Sequence, residues 1–125
     1  MRRMGTEKKL VVVREQPTLV IAVTEDVGSL EGPSLAGDLA EVMRVLESRE
    51  RPRVVVDFRD HEYFGSAMLE TLLRIWRAVR DRSGRIAVCG VSRFGHELLG
   101  VSHFDKLIAV HGSLDEAERS VHGSE

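Results

Sequence analysis

Cysteine occurs once in these 125 residues, at Cys89, so no internal disulfide is possible and a reducing, cytoplasmic setting is expected. Aromatic residues make up only 5%, with a single Trp and a single Tyr, so the core must be built from aliphatic side chains. No apolar run approaches the ~20 residues of a membrane span, and membrane insertion is not expected. The basic start Met1-Arg2-Arg3 is followed, after Lys8-Lys9, by only the four apolar residues 10–13, too short for the core of a signal peptide. There is also no surplus of positive charge. The 18 basic and 20 acidic residues leave a net charge of -2, which argues against direct nucleic-acid binding. What remains is a soluble composition, 42% hydrophobic and 30% charged, in a chain of one ordinary domain's length. At this size folding hides roughly two-thirds of the unfolded chain's surface, enough for a core without metal or disulfide.

The apolar pattern divides the chain into short strands and amphipathic helices. Residues 10–13 and 18–24 are β-rich and flank the turn signal Gln16-Pro17, which predicts an opening hairpin. A glycine-rich and acidic loop follows, and Pro33 suits a first helical position. Leu35, Leu39, Val42, Met43 and Leu46 form one helical stripe, with Asp38, Glu41 and Arg44 expected on the solvent side. Val54-Val55-Val56-Asp57-Phe58 is a nearly continuous apolar run, the pattern of a strand covered on both faces. A long helix is predicted over 66–82, carrying Glu70–Arg74 and Arg77–Asp81 as i,i+4 ion pairs and stopped by Ser83-Gly84. A further buried-type strand spans 85–90, a short helix 93–100 and a last strand 107–110. Ser113-Leu114-Asp115-Glu116 has the spacing of a capping box that opens a final helix. No repeat or low-complexity segment interrupts this order.

The resulting ββαβαβαβα order predicts a single α/β domain: a mostly parallel sheet, packed by helices, with an antiparallel N-terminal edge strand. The domain is expected over 10–121, with residues 1–9 as an N-terminal extension and 122–125 as a C-terminal tail. In such sheets function gathers outside the carboxyl ends of the strands.

On particular residues the chain resembles the STAS domain, the fold of bacterial anti-sigma factor antagonists. These are Val54-Val55-Val56-Asp57-Phe58, Phe64-Gly65-Ser66-Ala67-Met68-Leu69 opening the long helix, the run from Gly84 to Ser92, Phe104-Asp105-Lys106-Leu107, and Ser113-Leu114-Asp115-Glu116-Ala117. Gly28-Ser29-Leu30-Glu31 is similar to the family's Gly-x-Leu-Asp loop, with glutamate for aspartate. The family's turn reads Asp-Ser-Ser/Thr-Gly-Leu, its first serine being phosphorylated by a partner kinase. Here those positions are Gly65, Ser66, Ala67, Met68 and Leu69, so Ser66 falls on the phospho-acceptor and Leu69 on the leucine, while three positions differ. The resemblance implies a non-enzymatic regulatory module that binds an anti-sigma factor or related serine kinase. The implied contact residues are Gly28, Ser29, Leu30 and Glu31 with Phe64, Gly65, Ser66, Ala67, Met68 and Leu69.

Ser66 admits other readings. It is expected at least to cap the long helix, worth roughly 1 kcal/mol. Without the phosphoswitch, the same fold is that of a constitutive adaptor in a signalling or membrane-transport complex. A third reading is a small serine hydrolase, but the nucleophile elbow needs glycines where Phe64 and Met68 stand. Asp57 and His61 lie near Ser66 in sequence, which is not evidence of a triad. No catalytic residue is assigned. His61, His96, His103, His111 and His122 lack paired metal-ligand spacing, and the acidic run from Asp57 to Glu62 lacks the order of a calcium loop. Gly90-Val91-Ser92-Arg93-Phe94-Gly95 matches no dinucleotide or phosphate-loop pattern, so no metal or cofactor is expected. Cys89 is expected in the core, and Trp76 in helix packing. Oligomeric state is left open.

Overall fold

The computed structural model describes residues 10–24, 32–61 and 65–123. Its elements are β1 (Leu10–Arg14), β2 (Leu19–Val23), α1 (Gly32–Glu47), β3 (Arg53–Asp57), α2 (Ser66–Asp81), β4 (Arg85–Cys89), α3 (Arg93–Val101), β5 (Ala109–His111) and α4 (Leu114–His122). The strands form one sheet in chain order, β1-β2-β3-β4-β5, with β1 antiparallel to β2 and every other pairing parallel. The expected architecture is therefore the observed one.

Parallel strands added in one direction by right-handed crossovers place their connecting helices on one face. Ile21, Val23, Val54, Val56 and Val88 point to that face and pack with Leu39, Val42 and Leu46 of α1, Met68, Leu72, Ile75 and Val79 of α2, and Leu99 of α3. The alternate residues Val55, Ala87 and Cys89 point to the other face and meet Ala117 and Val121 of α4. Burial from both sides explains why β2 is buried at all five residues and why β3 reads as an unbroken apolar run.

Helix α4 is fastened at both ends. The Ser113 hydroxyl accepts from the Glu116 N–H, while the Glu116 carboxylate accepts from Gly112 N–H, completing the expected capping arrangement one residue further back. At the other end, Arg53 donates to the Val121 carbonyl and Arg85 to that of Ser120, placing positive charge at the helix C-terminus. Midway, the Arg14 guanidinium grips the Glu118 carboxylate with both terminal nitrogens, and the buried Thr18 hydroxyl donates to the same carboxylate at 2.7 Å. His122, the last residue of α4, places Nε2 2.8 Å from that hydroxyl.

Several local expectations are corrected. Asp38 is buried, not solvent-facing: edge strand β1 packs beside α1, and the Leu10 N–H donates to the Asp38 carboxylate at 3.3 Å. The last strand begins at Ala109 because the N–H groups of Leu107 and Ile108 both donate to the Phe104 carbonyl, closing a 3-10 turn at Phe104–Lys106. Neither expected ion pair on α2 forms; Asp81 approaches Arg80 instead, at 3.7 Å. An exposed i,i+4 pair is worth only a few tenths of a kcal/mol, too little to hold two long side chains together. The stop of α2 is as expected in place, with Ser83 supplying the left-handed residue (φ 58) and Gly84 N–H returning to the Val79 carbonyl. Trp76 lies half-buried on the same helix, with the Arg80 guanidinium 4.6 Å from its ring centre.

Candidate partner-binding site

The carboxyl ends of β3 and β4 hold the turn that leads to α2. The Asp57 carboxylate accepts from Arg59 N–H at 2.9 Å, and the Asp60 N–H crosses to the Gly90 carbonyl at 2.7 Å. Arg59 and Asp60 both have positive φ, 56° and 60°, and His61 N–H closes the turn on the Phe58 carbonyl. Two successive non-glycine residues in the left-handed region store backbone strain of order 1 kcal/mol or more each. They are held there by the bonds to Asp57 and Gly90.

Gly90 makes this approach possible. Its φ is +67°, and a Cβ there would stand 2.7 Å from Asp57 Oδ1 and 2.8 Å from the Arg59 nitrogen. Behind it, Cys89 is buried, and its thiol is pushed up to about 12 by burial and by the adjacent Asp57 carboxylate, to which it hydrogen-bonds. The thiol therefore stays protonated and belongs to the core, as expected.

Helix α2 starts without a side-chain cap. The N-cap residue is the buried Gly65, and Ser66 is the first helical residue, which corrects the expectation that Ser66 caps the helix. A cap needs extended backbone so that its side chain can fold back to the N–H two or three residues on; Gly65 has that conformation and no side chain. Ser66 is exposed, and its hydroxyl bonds no described residue. The N–H groups of Ser66 and Ala67 likewise lack acceptors among the described residues, at the positive end of the helix dipole.

The remaining sequence-derived residues divide. Ala67 and Leu69 are half-buried and border the exposed end of the helix. Met68, where the family has glycine, is 0% exposed, and its bulk goes into the core rather than to the surface. Gly28, Ser29, Leu30, Glu31 and Phe64 lie outside the described residues. No base is hydrogen-bonded to Ser66, and Asp57 is committed to Arg59 and Cys89, so no nucleophile–base pair is built among the described residues. Among them, too, no three His, Cys, Asp or Glu side chains converge as a metal site, and no helix is long and apolar enough to cross a membrane. The sequence pattern placed Gly90 and the Arg59-Asp60 turn in loops at the strand ends but did not show that the two meet. The only local signal was a glycine directly after a buried strand.

The family model of the STAS domain matches residues 6–117. The chain belongs to the STAS domain family. No curated protein matches it. Among solved structures, this STAS chain is similar to an anti-sigma-factor antagonist (STAS) domain protein from Planctomyces limnophilus, with a TM-score of 0.79 and 23% identity over 91% of this chain and 98% of that one. An anti-sigma factor antagonist from Mycobacterium paratuberculosis gives 0.74 and 19% over 90% and 92%. The STAS domain of a SulP transporter from Vibrio cholerae gives 0.60 and 17% over 77% and 79%. At these identities the likeness is one of fold.

Proposed function

We infer that the chain is a cytoplasmic regulatory module that works by binding a protein rather than by catalysis, as an anti-sigma factor antagonist switched by phosphorylation at Ser66. The partner is an anti-sigma factor with serine-kinase character, and the contact uses Gly28, Ser29, Leu30 and Glu31 together with the residues at the start of α2. The observation that carries this reading is the exposed Ser66 hydroxyl, bonded to no described residue, at the start of α2 on the family's phospho-acceptor position. Phosphate there adds a charge of about -1.5 to -2 at the positive end of the helix dipole, which favours the modified helix itself. The same charge in a contact built for a neutral hydroxyl opposes binding.

The test is intact mass after incubation with the anti-sigma-type kinases of the same genome, followed by the affinity of Ser66→Asp and Ser66→Ala for the kinase that modifies the chain. One added phosphate, binding weakened by about 2 kcal/mol in Ser66→Asp, and near-normal binding of Ser66→Ala are expected. No added phosphate, with both variants binding like wild type, defeats the switch. A second reading then applies, a constitutive adaptor subunit, favoured by the inward Met68 in place of the family's glycine and by the likeness to a transporter's STAS domain.

A further inference from the structure

The sheet has a notch in its β5 edge. Strand β4 starts at Arg85, but β5 pairs with it only from Ala87 opposite Ala109 onward, because the Phe104 carbonyl takes the N–H groups of Leu107 and Ile108. No strand is therefore paired beside Arg85 and Ile86 on the outer side, over about 7 Å at ~3.3 Å per residue. The gap opens a cavity of about 390 Å³ between the two helix layers, within the ~300–1,000 Å³ range of ligand sites. Trp76 and Val79 of α2 line one side and Ser120 and Val121 of α4 the other, with Ile86 between them. Leu107, 47% exposed, adds an apolar side chain at the edge.

The charge lining this notch has one sign. Arg80 and Arg85 line it, and among the described residues no acidic side chain does. Arg85 is committed to the fold. It donates to the carbonyls of Ser120 and Gly123, where its charge offsets the negative end of the α4 dipole, which would otherwise repel an anion. Arg80 is the residue placed for recognition. Its guanidinium lies over the Trp76 ring, 4.6 Å from the centre, and contact with a ring occupies the flat face of the fork while leaving its in-plane N–H groups for a carboxylate. Asp81 approaches the same guanidinium at 3.7 Å, but both side chains are more than half exposed, so water screens that pair. Asp81 lines the α1–α2 side of the helix instead. An unpaired stretch of strand edge, an apolar wall and a carboxylate-binding fork are together what the end of an extended peptide needs.

We propose that this notch binds the C-terminal end of an extended peptide, its last, apolar side chain against Trp76, Ile86 and Leu107 and its α-carboxylate on Arg80. The peptide main chain continues the sheet edge beside Arg85 and Ile86. The notch lies at the amino end of β4, whereas Ser66 follows the carboxyl end of β3, so the two sites sit at opposite ends of the sheet. Binding in the notch goes beyond the phosphoswitch and does not depend on it.

The experiment follows the indole N–H of Trp76, the chain's single tryptophan, and the Ile86 amide by heteronuclear NMR. The full chain is titrated to millimolar ligand with acetyl-Ala-Val-Ala-Leu as the free acid, with the same peptide as its C-terminal amide, and with isocaproate. Arg80→Gln and Leu107→Ser fall on exposed positions, and circular dichroism verifies that both fold. Arg77→Gln, on the same helix but outside the notch, is the control for a general loss of charge. The free acid is expected to shift both signals and to bind at least tenfold more tightly than the amide or isocaproate. Arg80→Gln is expected to bring the free acid to the affinity of the amide, Leu107→Ser to weaken both peptides at least fivefold, and Arg77→Gln to leave binding within twofold. Equal affinities of acid and amide, no shift at Trp76 and Ile86, no effect of Arg80→Gln or Leu107→Ser, or equal effects of Arg80→Gln and Arg77→Gln overturns the proposal. Isocaproate binding as tightly as the peptide also overturns it, since the ligand is then a small free acid. So does a dimer that Leu107→Ser converts to a monomer, since the notch is then a self-interface.

Discussion

Replacing Gly90 with alanine puts a methyl group into a space bounded by Asp57 Oδ1 at 2.7 Å and the Arg59 nitrogen at 2.8 Å. Two costs add. An alanine held at φ +67° costs about 1–2 kcal/mol relative to glycine. The crowding costs about 1–3 kcal/mol, because one neighbour is backbone and the other is an oxygen already bonded to Arg59. The expected loss is about 3 kcal/mol. With an unfolding entropy near 2.1 cal/mol/K per residue, that lowers Tm by roughly 10 °C. Gly37 is the matched control: it is exposed on α1, nothing lies within 4 Å of its Cβ position, and Gly37→Ala is expected to stabilise by about 0.5–1 kcal/mol. Gly90→Asn separates the two costs, since asparagine tolerates positive φ but still carries a Cβ; it is expected to recover no more than about 1 kcal/mol. Urea melts followed by far-ultraviolet circular dichroism measure all three. A Gly90→Ala protein within 1 kcal/mol of wild type, or full recovery by asparagine, would show that Asp57 and Arg59 do not crowd this position.

The ion pair on α4 gives a pH-dependent prediction. Hydrogen bonds from Arg14 and then Thr18 hold the Glu118 carboxyl below its ordinary range, so its stabilisation is present above the unfolded value near 4.3 and is lost as pH falls through the folded one. Glu118→Gln should cost about 1 kcal/mol at pH 7, the modest figure reflecting an Arg14 side chain that is 36% exposed, and the gap should narrow in urea melts as pH falls below the unfolded value near 4.3. Cys89 should resist thiol-specific reagents at pH 8 in the native protein and react fully in denaturant; fast native labelling would contradict its burial and raised pKa. Ser66→Ala should change stability by less than about 0.5 kcal/mol, because Gly65 is the N-cap residue; a loss near 1 kcal/mol would restore Ser66 as the cap.

The order of elements was legible in the sequence because it depends on near neighbours. The stripe from Leu35 to Leu46 determines which face of α1 is buried, the run Val54-Val55-Val56 requires cover on both sides, and Ser113 with Glu116 opens α4 wherever the helix lies. The same periods could not show that β1 would lie beside Asp38, that Phe104 would hold Leu107 out of the last strand, or that Glu118 would meet Arg14. Those contacts depend on edges and registers that exist only once the strands have paired. The candidate site divides in the same way. Ser66 was found because a motif position is a property of sequence. Its lack of a cap, the inward direction of Met68 and the closeness of Gly90 to Asp57 were decided by tertiary structure, since each is set by what the turn and the neighbouring strand leave room for.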